Sequence, residues 1–140
     1  MTKFLKITDV EKICFRLAKK LMTWNEPIPD FKTRFSGILE SCLLSPMATY
    51  GKKSLYPTLS QKAAILFYLM IKNHPFTNGN KRIAVISLLT FLYLNKKWLK
   101  VAKEELYRVA VLMAESPADF KEGMVQALAY FVKKNMVNLK

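Results

Sequence analysis

The chain has 140 residues, 51% hydrophobic and 24% charged, a balance that fits one globular domain over 1–140 and excludes a disordered chain. Its longest nearly apolar run, 83–94, is broken by Ser87 and Thr90 and is too short to span a membrane, and the first residues lack a signal-peptide core, so a cytoplasmic protein is expected. The net charge of +13 has three readings: phosphate contacts with nucleic acid, an acidic protein or nucleotide partner, or a solvated lysine-rich surface. Cys14 and Cys42 fall on different predicted helices with a single histidine elsewhere, so they read as reduced core thiols rather than a zinc or disulfide framework.

In chain order, Val10, Ile13, Cys14, Leu17, Ala18, Leu21 and Met22 recur in three- and four-residue steps and predict a first helix over 7–24, capped by Thr8 or Asp9. Pro27 and Pro29 end it, and a second helix is expected from Phe31 or Lys32 to Leu44, with Phe35, Ile38, Leu39, Cys42 and Leu43 inward. Gly37 weakens that helix unless another backbone packs closely on it. Residues 45–57 are too long for a featureless connection, so a short hairpin or flap is expected, with Gly51 supplying the turn.

Thr58 and Gln61 form a capping box for a helix running to about Asn73, and the apolar run 63–71 makes that helix central. An equally apolar helix is expected over 80–94, then an extended piece over 98–101 and a shorter helix over 103–114 with Leu106, Val109, Ala110 and Met113 inward. Ser116, Pro117 and Asp119 predict the start of a last helix reaching about Lys134, with Ser116 as its cap, and residues 135–140 are expected to fray. The fold class is all-α, a bundle of about six helices with one hairpin.

Between the two most apolar helices lies His74-Pro75-Phe76-Thr77-Asn78-Gly79-Asn80-Lys81-Arg82. Pro75 disfavours helical backbone at His74, which places the imidazole on a turn. Thr77 or Asn78 can cap the next helix, whose first N–H groups have no intrahelical partner. With Gly79 allowing close approach and Lys81 and Arg82 adding charge, this is a site for an anion, phosphate first. Histidine is the side-chain type that titrates near neutrality, so His74 is placed to accept a proton from an attacking hydroxyl while Arg82 opposes charge on a polyphosphate. Asn80 can donate its amide to a phosphate oxygen or cap the helix.

These residues resemble the signature of the Fic/Doc family, His-x-Phe-x-Asp/Glu-Gly/Ala-Asn-Gly/Lys-Arg, at every position except Asn78. The likeness extends to 56–73, 91–95 and 37–41, which are similar to helices of the death-on-curing (Doc) branch. It implies a Fic fold and transfer of part of ATP onto a protein hydroxyl. Carried across by position, His74 would be the base, Phe76 a structural anchor, and Thr77, Gly79, Asn80, Lys81 and Arg82 the phosphate cradle. Thr49, Tyr50, Gly51, Lys52 and Lys53 would form a flap that aligns the target peptide by strand addition.

Lys81, where AMP-transferring members usually carry glycine, and Val85, where they often carry a second arginine, resemble the Doc branch, similar to a protein kinase toxin acting on elongation factor Tu. Phosphoryl transfer is therefore expected, with adenylyl transfer as the alternative and a catalytically impaired binding module as a third reading. Asn78 stands where the family has the acid that holds Mg²⁺, and an amide offers a hard cation only a neutral oxygen. The resemblance also implies a separate antitoxin, for which the +13 charge suits an acidic protein. No recognition-helix or aromatic RNA-binding motif supports nucleic acid.

Overall fold

The computed structural model describes residues 1–21 and 27–139. The predicted end of the first helix, Met22 included, and the start of the following turn lie outside them. Helical backbone begins with α1 (Ile7–Asp9), passes through a π-helical turn (Val10–Cys14) and continues as α2 (Phe15–Leu21). Its N-cap is Lys6 rather than Thr8 or Asp9, because the Asp9 carboxylate, at the third helical position, accepts from the Lys6 N–H at 2.9 Å.

The second predicted helix is split. A 3₁₀ turn (Phe31–Thr33), capped by Asp30 through the Lys32 N–H at 3.0 Å, precedes α3 (Ser36–Leu44). Leu39, Cys42 and Leu43 are buried as expected, but Phe35 and Ile38 are exposed, Phe35 serving as the N-cap of α3. Gly37 has nothing within 4 Å of where a Cβ would stand, so close backbone packing is not its reason.

A 3₁₀ turn (Ser45–Met47) leads into the expected hairpin, β1 (Thr49–Tyr50) paired antiparallel with β2 (Lys53–Ser54). Gly51 and Lys52 both have positive φ, +57° and +69°, the pattern of a turn whose twist matches the strands it joins.

At the centre lie α4 (Leu59–Lys72) and α5 (Asn80–Leu94). Thr58 and Gln61 close the predicted capping box on α4. Along 63–71 only Leu69 is less than buried, and α5 is buried without interruption from Arg82 to Leu92. Helices apolar all round need neighbours on every side. Around this pair pack α6 (Lys103–Glu115), α7 (Lys121–Asn135) and the N-terminal helical stretch.

Two expectations about the C-terminal part are corrected. Ser116 does not start the last helix; its hydroxyl and N–H both go to the Met113 carbonyl, ending α6, and a 3₁₀ turn (Ala118–Phe120) leads into α7. Nor does the tail fray over 136–138, since β4 (Met136–Asn138) pairs antiparallel with β3 (Lys97–Leu99). Backbone groups of β3 that would otherwise need water find their partners there. No helix among the described residues is long and apolar enough to cross a membrane.

Candidate active site

Helix α4 stops at Lys72 with Asn73 as its C-cap, so His74 stands on the turn, exposed, as the proline demands. Its φ is +48°, a left-handed conformation that is costly for a residue with a Cβ and that collects at functional turns. Three features hold the backbone there. The Pro75 carbonyl accepts from the Phe35 N–H at 2.9 Å, fastening the turn to the start of α3. The Asn80 amide grips the Phe76 backbone at both ends, Oδ1 accepting from the Phe76 N–H at 3.0 Å and Nδ2 donating to the Phe76 carbonyl at 2.9 Å.

The third feature is Phe76, 1% exposed, whose ring meets Phe15 of α2 edge-on at 5.0 Å between centroids; Phe15 meets Phe31 in the same way at 5.0 Å. Edge-to-face pairs of this kind add about 0.5–1.5 kcal/mol each beyond the area they bury. The Arg34 guanidinium lies 4.3 Å from the Phe31 ring centre. Phe76 thus ties the turn to the core, at the position where the family resemblance implies a structural anchor. Phe15, Phe31 and the Phe35 N–H are the supporting groups that the sequence does not reveal, since nothing in the local pattern relates them to a loop about 40 to 60 residues on.

The cap of α5 differs from expectation. Neither Thr77 nor Asn78 provides it; the N-cap is Gly79, φ +71°, which has no side chain with which to bond the first-turn N–H groups. Helix α5 therefore opens with donors that no N-cap side chain takes, at the positive end of its dipole. Gly79 is required twice over: for its φ, and because a Cβ there would stand 2.8 Å from the Pro27 carbonyl oxygen and 3.0 Å from the Ile28 Cδ1. Thr77 and Asn78 are exposed on the same turn.

Arg82 is 6% exposed, and its Nη2 donates to the Ala18 carbonyl of α2 at 2.6 Å. A cation near the last turn of a helix is electrostatically favoured, so part of this guanidinium ties α5 to α2. Lys81, half-buried, is in the same first turn. Asn80, read from the sequence as a donor to phosphate or as a cap, instead has its side chain committed to the Phe76 backbone.

For magnesium, the motif offers no carboxylate, and the Asn78 Oδ1 already accepts from the Gly79 N–H at 2.8 Å. These residues do not fit a protein-held magnesium site. The two thiols are no substitute nucleophiles: burial pushes the Cys42 thiol up to about 12 and raises that of Cys14, keeping both protonated.

The site thus combines an exposed imidazole on a strained turn with a helix opening that has no side-chain cap, on an all-α frame carrying a two-stranded hairpin. The Fic/DOC family model matches residues 5–92, and the chain belongs to that family. It is similar to the protein named Toxin Doc of Mycolicibacterium smegmatis (strain ATCC 700084 / mc(2)155), with 38% identity over 66 residues. That match takes in 47% of this chain and spans about half, 51%, of the relative's length. No solved structure matches the chain.

Proposed function

We propose that the chain is a Doc-type toxin that transfers the terminal phosphoryl group of ATP to a hydroxyl of a protein substrate in the cytoplasm, a translation factor such as elongation factor Tu being the expected class. The observation that carries this reading is that exposed His74, held at φ +48°, stands on the turn that leads into α5, where Gly79 leaves the first turn without a side-chain cap. His74 takes the proton of the target hydroxyl as its oxygen bonds to the γ phosphorus; the bond from that phosphorus to the β–γ bridging oxygen breaks, and ADP leaves. The Lys81 and Arg82 charges and the first-turn N–H groups of α5 oppose the negative charge on the phosphates. Magnesium, in this reading, arrives on the nucleotide.

Lys81 and Val85 in place of glycine and a second arginine favour phosphoryl over adenylyl transfer. In the alternative the hydroxyl attacks the α phosphorus and pyrophosphate leaves. A partner antitoxin of acidic character fits the +13 charge and the likeness to a toxin.

The test is incubation with bacterial lysate and ATP labelled on the γ or the α phosphate. Label from γ only, lost by about 10²-fold or more in His74→Ala, is expected. Label from α selects adenylyl transfer, and no His74-dependent label from either reduces the chain to a binding module. In the same assay Asn78→Asp should raise apparent magnesium affinity by about tenfold or more, because a carboxylate replaces a neutral oxygen.

A further inference from the structure

We infer that Lys62 is a positioning residue that locks the returning leg of the flap to α4, the helix that ends at the His74 turn. Lys62 is 8% exposed, and its Nζ donates to the Tyr56 carbonyl and, at 3.4 Å, to the Ser54 hydroxyl. Both acceptors are neutral, and among the described residues no carboxylate pairs with it. A buried ammonium without an anion is costly, so it is not explained by stability.

Its partners explain it. Ser54 ends β2, its hydroxyl also accepting from the Tyr56 N–H at 3.2 Å, and Leu55 between them donates to the Ala48 carbonyl across the hairpin at 2.9 Å. The outgoing leg is fixed by packing, through buried Pro46 in the 3₁₀ turn that lies on α4. The returning leg is exposed from Lys53 to Leu55 and first reaches the core at half-buried Tyr56; Lys62 adds a polar tie to the Tyr56 carbonyl and, ahead of that contact, to the Ser54 hydroxyl. Flap and His74 turn thus share one rigid beam, about 20 Å long for its 14 residues. Fixing a recognition strand relative to the reacting group is what turns binding into productive orientation. This last step rests on the function proposed above; the lock itself does not.

Hydrogen exchange on the full chain tests the lock, with the Leu55 amide as reporter. In Lys62→Met, which keeps the stem volume and removes the buried charge, Leu55 exchange should rise at least tenfold while the melting temperature holds or rises and amides 66–71 of α4 keep their protection. Ser54→Ala, at an exposed position where folding is not at stake, should accelerate Leu55 exchange by two- to threefold or more. Leu55 protection within twofold of the parent chain in both variants overturns the lock; loss shared equally by α4 reduces Lys62 to a structural residue and overturns it too.

The coupling is read separately. In Lys62→Met, γ-label transfer to lysate protein should fall at least tenfold with ATP affinity unchanged within twofold. Unchanged transfer beside a loosened Leu55 overturns the positioning role. If the parent chain labels nothing, the proposed function fails, and the exchange data still decide whether Lys62 holds the flap.

Discussion

The His74 turn and the flap are both short polar connections between helices, yet they are built in opposite ways. The turn is cross-braced: a ring in the core, an asparagine holding both ends of one peptide unit, and a backbone bond to α3. The flap is a ladder of two residue pairs whose every residue, 49–54, is exposed. A group that must meet a reacting atom needs fixed geometry, whereas the tip of a strand edge that adds to a peptide through backbone bonds tolerates compliance once its base is held, as the Lys62 bonds to Tyr56 and Ser54 hold this one. Bracing in this molecule is concentrated at the turn that carries His74.

The contrast breaks most severely if the anchor is removed. Phe76→Ala deletes a fully buried ring from the Phe15–Phe31 cluster and should cost about 3–5 kcal/mol in denaturant unfolding, taking label transfer with it. A loss below about 1 kcal/mol would mean that the turn does not depend on its core anchor.

Two glycines sharpen the comparison, since both have positive φ and differ in surroundings. Gly79→Ala adds a Cβ 2.8 Å from the Pro27 carbonyl oxygen on top of a left-handed backbone, so it should cost about 2–3 kcal/mol and abolish transfer. Gly51→Ala meets nothing within 4 Å, so only the backbone term of about 1–2 kcal/mol remains. Its effect on transfer should be smaller than that of Gly79→Ala, read as a raised KM for the protein target with kcat held. Equal effects at the two positions would show that the flap is as tightly constrained as the turn.

Much of the frame is legible from pattern alone because its signals are local. The α4 capping box, the run from 63 to 71, the limits of α5 and the Gly51 turn each depend on residues within a few positions of one another. Where structure and pattern part, either a residue has two plausible local duties and packing selects between them, or its partner lies far away in the chain. Ser116 fits an N-cap by pattern, but its hydroxyl ends α6 instead. Phe35 fits an inward helical position, yet it is the N-cap of α3 and lends its N–H to Pro75. Residues 136–138 look like a loose end until β3 is there to receive them.

The same division runs through the candidate site. That a lone histidine sits on a proline-forced turn before a second apolar helix is written in the local residues, because backbone sterics and hydrophobic burial act over a few positions. That Asn80 serves Phe76, that part of Arg82 reaches Ala18 and that Gly79 lies close to Pro27 and Ile28 follows from packing alone. Those choices are contacts between segments far apart in the chain, and their geometry exists only once the packed helices bring the segments together.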